Sequence, residues 1–277
     1  MASEALARRR MLGSVLMKTL RDQRRALVWW ATGLLATAAM YASFYPSIRA
    51  NAKTMDRFIK SMPEWMQNSF LSASGDYTSP AGYLHTEMFS FFAPLLLLVF
   101  AIGAGARAIA GEEERQTLDI LLATPVSRRR VAIDKFLAMV AGTLGLALVL
   151  WLSIAVLGPP FDLTPDFANL GAAVASCLLL GVAFGAIAFA VGCVTGRRGL
   201  AIGVTSAIAG ISYLVDILVP AVKSLAWLQR LSPFHYYADS EPIANGLDPV
   251  HVLVLVAIAA VGFALALVGF ERRDLAA

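Results

Sequence analysis

The stretch GEEERQTLDILLATPVSRRRVAIDK, Gly111 to Lys135, is the most polar long segment in the middle of the chain, and long apolar runs stand on both sides of it. Glu112, Glu113 and Glu114 crowd its start, where negative charge complements the positive end of a helix dipole. Leu118, Leu121 and Leu122 follow at i, i+3, i+4 and make one apolar stripe. Pro125 ends that helix, because the residue before a proline is pushed out of the α region. Ser127 is placed to cap the next helix, and Arg128, Arg129 and Arg130 lead to Lys135 and the next apolar run. An acidic start, a narrow leucine stripe, a proline break and a basic exit suit a helix lying along a membrane surface with one face free for a partner. By itself the stretch equally suits a loop whose arginines only fix topology.

The flanking runs decide the fold class. Charged residues make up 15% and apolar residues 58% of the 277, against roughly 25% and 45–50% in soluble domains. Several runs reach the ~20 apolar residues needed to cross a bilayer. The chain therefore reads as an all-α, polytopic membrane protein forming a single transmembrane domain over residues 1–277. Ser3 to Arg25 is a basic amphipathic opening: Leu12, Val15, Leu16 and Leu20 share one face, as an interfacial helix on an anionic leaflet requires. No cleavable signal peptide is expected from so basic a start.

Six spans follow, over 26–45, 87–110, 136–157, 170–195, 200–219 and 250–270. Trp29 and Trp30 at one end of the first, with Tyr41 and Tyr45 at the other, match an aromatic belt. The second contains Pro94, a predicted kink. The fourth carries Gly181-xxx-Gly185 and Gly192-xxx-Gly196, a spacing that lets another helix approach closely. The longest segments outside the spans are 46–86, with a short helix predicted near Met55 to Phe70, and 220–249. Six spans place both termini on one side. The segments on that side hold 17 of the 23 Lys and Arg, so the positive-inside rule predicts cytoplasmic termini and a cytoplasmic 111–135 loop.

Little enzyme chemistry is visible. No G-x-x-x-x-G-K-[ST] loop exists, so ATP binding and hydrolysis by this chain are not expected. His85, His235 and His251 all fall at or beyond the outer face, and no H-E-x-x-H or C-x-x-C pairing occurs. The group His235, Tyr236, Tyr237, Asp239 and Glu241 reads as a structured external loop ahead of a metal or acid/base cluster, and no catalytic or metal-ligating residue is assigned. Asp216 is the one acid well inside a predicted span, near its outer end; it is a candidate pathway residue or an interfacial one. Cys177 and Cys193 stand sixteen residues apart on one predicted helix, about 24 Å, too far for a disulfide.

These residues resemble a known family. Gly111-Glu112-Glu113-Glu114-Arg115, then Thr117 to Arg128 (TLDILLATPVSR) and Lys135, look like the cytoplasmic signature of type-2 ABC transporter permeases. KTLRDQRRALVWW at the start, the external SMPEWM, TSPAGYL and LSPFHYY stretches, and the six-span plan fit its exporter branch, so the resemblance covers nearly the whole chain. It implies that the 111–135 loop holds the coupling helix, which rests in a groove on a separate ATPase subunit. By position, Glu112, Glu113 and Glu114 would be acidic contacts, Leu118, Leu121 and Leu122 the docking face, and Pro125 and Arg128 its far edge. A glycine commonly precedes the Thr-Leu pair in that family; here the position is Gln116. LSPFHYY resembles the short external helices that cap the pathway.

The expectation is a multi-pass permease subunit in the bacterial cell membrane, half of a homo- or heterodimeric exporter. It binds no cofactor itself; ATP and Mg belong to partner ABC ATPase subunits, and no nucleic-acid partner is expected. Walls of Phe, Leu, Val and Ala suit a hydrophobic or amphiphilic substrate, such as a lipid, ionophore or antibiotic in multidrug or lipid export. The alternative is a membrane-anchored sensory or immunity module that binds an ATPase without moving anything. A polytopic enzyme is disfavoured, because no second polar group converges on Asp216 at depth.

Overall fold

Apolar runs without strand-like alternation leave helix as the only way to satisfy backbone groups inside a bilayer. The computed structural model describes residues 2–61, 76–117, 127–219 and 223–273. Every regular element among them is helical. In order these are α1 (Ala2–Ala50), α2 (Ala52–Lys60), α3 (Pro80–Leu84) running into a π-helical turn (His85–Phe89), α4 (Phe92–Ala108), α5 (Ala110–Glu114), α6 (Arg128–Leu157), α7 (Phe167–Thr195), α8 (Arg198–Leu218), α9 (Pro233–Ala238), α10 (Pro242–Asn245) and α11 (Pro249–Arg272). Short 3-10 turns lie at Pro159–Phe161 and Lys223–Leu231.

Five of these helices are long and apolar enough to cross a membrane: α1 from Val15, α6, α7, α8 and α11. A sixth crossing arises only if Pro80–Phe89 and α4, which meet at 40°, are taken as one bent span. The bend lies at Ser90–Phe91, where Phe91 leaves helical geometry at φ −141°, and not at Pro94. Pro94 is the third residue of α4, where its missing N–H had no intrahelical acceptor to lose. The basic opening also differs from expectation, because it joins the first span as one helix from Ala2 to Ala50. No proline interrupts that chain before Pro46, so nothing breaks the rod where the composition changes from basic to apolar. Of the helix predicted near Met55 to Phe70, α2 covers the first part, and 62–75 lie outside the described residues.

The bundle is built around α7, which packs against α4, α11, α6 and α8. Its most apolar window is 67% buried, against 17% for α8 and for α11. Small residues make this possible. A Cβ added at Gly185 would sit 2.8 Å from Met139 Sδ and 3.2 Å from the Ala101 carbonyl, and one at Gly105 only 2.3 Å from the Gly185 carbonyl. Gly181 is looser, its nearest neighbour being Thr143 Cγ2 at 3.5 Å. The predicted Gly-xxx-Gly face is thus where α7 meets α4 and α6, and backbone-to-backbone approach substitutes for side-chain interdigitation. By contrast α1 packs chiefly on α6.

At the end of the bundle away from α5, tyrosines join α1 to the bent arm. Tyr45 donates to the Thr78 carbonyl at 2.9 Å, Tyr83 to the Tyr41 carbonyl at 2.9 Å, and Tyr77 to Glu87 Oε1 at 2.6 Å. Buried hydroxyls need such partners, and here they fix the arm's position.

Candidate functional site

The first site lies where α4 gives way to the polar stretch. α5 is a single turn, and it does not continue into the leucine stripe. Gln116 takes φ 56°, its N–H bonds the Glu113 carbonyl at 2.9 Å and that of Thr117 bonds the Glu112 carbonyl at 2.9 Å. This pair of bonds is a Schellman end, which places one residue in the left-handed region. Gln116 holds the glycine-favouring position, and Glu112 to Glu114 therefore belong to a separate turn ahead of the leucines. Leu118, Leu121, Leu122 and Pro125 lie outside the described residues.

Each of the three glutamates reaches a different helix. Glu112 Oε1 meets Lys135 Nζ of α6 at 2.5 Å, and its Oε2 accepts from Thr117 Oγ1 at 2.5 Å. Burial pushes the Glu112 carboxyl up, but the bonds from Lys135 and Thr117 outweigh that and hold it below the ordinary carboxylate range. Glu113 pairs with Arg273, just past the end of α11. Arg273 also donates to the Cys193 carbonyl at 2.9 Å, near the end of α7, and Arg128 donates to the Arg273 carbonyl at 3.0 Å. Glu114 Oε1 accepts from the backbone N–H of Arg198 at 2.9 Å, the first residue of α8. Gly196 closes α7 at φ 66°, and a Cβ there would fall 2.5 Å from Arg273 Nη2. Only glycine fits both that conformation and that contact. By position in the chain all three acids were expected to face a partner protein; in the fold each has a partner within the chain.

The second site is an apolar groove of about 420 Å³ between α4 and α8. Pro94, Leu98 and Ile102 line one wall, Ala209 and Tyr213 the other, and Phe234 of α9 closes one end. Among the described residues that line it, Ser206 and Tyr213 alone bring a polar side-chain group. Asp216 lies one turn beyond Tyr213 and outside this lining, at the end of α8 away from Arg198; Gln229 Nε2 donates to its backbone carbonyl at 3.3 Å. Pro94 thus belongs to the groove, whereas Gly181 and Gly185 belong to packing.

The LSPFHYY segment caps that end. Ser232 caps α9 by accepting from the Phe234 N–H at 3.1 Å, and its hydroxyl donates to the Ser212 carbonyl of α8 at 2.9 Å. Tyr237 is buried, donates to the Phe89 carbonyl at 2.5 Å and contacts Cys177 Sγ at 3.1 Å. Phe89 precedes the bend before α4, so the cap satisfies a carbonyl which that bend leaves without a helical partner. The same fold brings His251 of α11 beside His235 and Asp239, a grouping that no motif announces because sixteen residues separate the two histidines.

The described residues thus form a helical bundle of five or six apolar crossings with a polar turn clamped at one end. No curated protein matches the chain. The model of the family described as ABC-2 family transporter protein matches residues 14–275, nearly all of it. The chain belongs to that family, as a multi-pass membrane permease of an ABC transporter.

Proposed function

We propose that this permease is half of an exporter, whose apolar groove between α4 and α8 contributes one wall of a path for hydrophobic or amphiphilic molecules. The observation that carries this reading is the groove itself: about 420 Å³, walled by apolar side chains, with Phe234 of the cap at one end. A charged or strongly polar cargo would be desolvated there without partners, at several kcal/mol. An apolar body with one polar end suits Ser206 and Tyr213. A second permease half, identical or related, completes the path, and ATPase subunits bind the 118–126 segment from the cytoplasm.

The three-glutamate clamp supports a mechanical route between these parts. α5 is one residue from α4, and Glu114 ties it to the first residue of α8. Those two helices border the groove. A push on 118–126 would therefore move both walls, while Glu112 and Glu113 carry the same displacement to α6 and α11. Such coupled rocking is what alternating access requires.

The test is paired. Leu121→Asp should reach the membrane at normal abundance, while the ATPase retained on a tagged permease falls roughly thirtyfold, the loss expected when a hot-spot contact of about 2 kcal/mol is removed. Proteoliposomes holding the wild-type complex should move an amphiphilic dye in an ATP-dependent way. Undiminished ATPase retention in Leu121→Asp would refute the docking assignment. ATPase retention without any ATP-dependent movement would favour the sensory or immunity module instead.

A further inference from the structure

The geometry points to a binding site for a zinc-class divalent ion made by His235, Asp239 and His251, which ties the cap to the start of α11. One ligand atom from each of the three lies within 4.8 Å of the other two. His235 Nδ1 and Asp239 Oδ1 are 3.7 Å apart, one helical turn from each other. Ligands about 2.0–2.1 Å from a tetrahedral zinc stand roughly 3.3 Å from one another. The first pair is thus close to that spacing, and modest side-chain rotation brings in His251. Two imidazoles and one carboxylate form a donor set for zinc, copper or nickel, whereas magnesium and calcium prefer oxygen. Three protein ligands leave a fourth position for water.

Several features hold the ligands ready. His235 and Asp239 are carried by α9 and its C-cap, which Tyr237 anchors through the Phe89 carbonyl, Cys177 and Ser176. His251 lies in the first turn of α11, and Asp248 caps that turn by accepting from the N–H groups of Val250 and His251 at 2.7 and 3.2 Å. The Tyr236 ring stands 5.2 Å from the His235 ring and 5.5 Å from the His251 ring, edge-on to both. His251 Nδ1 is buried with no hydrogen-bond partner among the described residues, so part of that ring's bonding capacity is unused by the fold. Rigid supports of this kind lower the entropic cost of assembling a metal site. The Asp239 side chain is 58% exposed, which leaves an entry path from solvent. The bound ion would cross-link α9, which closes the groove, to α11, which does not line it.

The experiment uses the full-length permease in detergent, purified through a tag without histidines and stripped with a chelator. Zinc added to it should bind saturably at one ion per chain and raise the melting temperature, and magnesium should do neither. Cobalt in its place should give the visible absorption of a tetrahedral centre. Asp239→Asn, at an exposed position that leaves folding intact, and His251→Gln should each weaken zinc binding at least roughly tenfold. His85→Gln, outside the trio, should leave it unchanged. The assignment fails if zinc does not saturate, if Asp239→Asn binds as tightly as the wild type, or if His85→Gln loses as much affinity as the trio variants. Because the readout is binding, it stands apart from whether the protein transports.

Discussion

Replacing Lys135 by methionine should destabilise the permease by about 3 kcal/mol, and the reason lies in one contact. The Lys135 side chain is 7% exposed and that of Glu112 23%, with 2.5 Å between Nζ and Oε1. Removing one member of a buried pair leaves the other charged and desolvated, at about 3–5 kcal/mol; the lower end applies here because Glu112 keeps Thr117 as a donor and some solvent. In a chain of this size that lowers the melting temperature by roughly 6–10 °C. Glu112→Gln alone should cost a similar amount, since it strands the ammonium. The double variant Glu112→Gln/Lys135→Met should recover much of the loss, because neither charge then remains buried. The sign of the pH effect follows from the depressed carboxyl of Glu112. Its contribution is fully present above the ordinary glutamate value of about 4.3 and is lost only as pH falls through the lower folded value. In wild type this contribution is therefore constant from about pH 5 to 8. In Lys135→Met the burial that raises the Glu112 carboxyl is opposed mainly by Thr117, so the gap between the two should be widest near about pH 8 and narrow toward about pH 5 as the stranded carboxyl takes up a proton. The assay is thermal unfolding of the detergent-solubilised proteins, read by a thiol-reactive dye on the buried Cys177 and Cys193. Additive losses in the double variant would refute the pairing argument. So would a gap that widens as the pH falls from 8 to 5.

Other consequences are simpler to read. Gly185→Leu should lower the yield of monodisperse protein through overpacking of about 1–3 kcal/mol against Met139 and the Ala101 carbonyl; an unchanged melting temperature would remove the close-approach account. Gln116→Gly should raise the melting temperature slightly, by the equivalent of roughly 0.5–1 kcal/mol, because glycine adopts φ 56° without a Cβ penalty. A lower melting temperature in that variant would mean that the Gln116 side chain does more for the turn than its backbone costs. In a background lacking both cysteines, a single cysteine at Ser127 should react with an impermeant thiol reagent only after permeabilisation, and one at Ser74 in intact cells. The reverse pattern would invert the proposed orientation.

The class of this protein is legible in the chain because span length and side-chain hydropathy are local properties. About twenty apolar residues are a crossing whatever they pack against, and the absence of a phosphate loop is a fact about adjacent residues. The helices α6, α7, α8 and α11 fall close to where the runs predict them, and the Gly185 face packs as its spacing requires. The polar stretch at Gly111 is equally local, and the family resemblance rests on it.

What a linear sequence does not contain is who answers a charge. In sequence Glu112, Glu113 and Glu114 are only charges at a helix start; folding brings Lys135, Arg273 and the Arg198 N–H to them from 23, 160 and 84 residues away. Periodicity likewise predicts one helix from the acids to the leucines, because a left-handed Gln116 leaves no mark on a hydropathy pattern. The bend before α4 points to Pro94 for the same reason: proline is visible in sequence, whereas a break at Phe91 held by the Tyr237 hydroxyl is a tertiary contact. His251 joins His235 and Asp239 only because α9 folds back onto the first turn of α11. Hydropathy and propensity act over one or two turns of chain, and they decided which segments cross the membrane. Ion pairs, caps and ligand clusters act through space, so only the packed bundle decided what each polar residue is for.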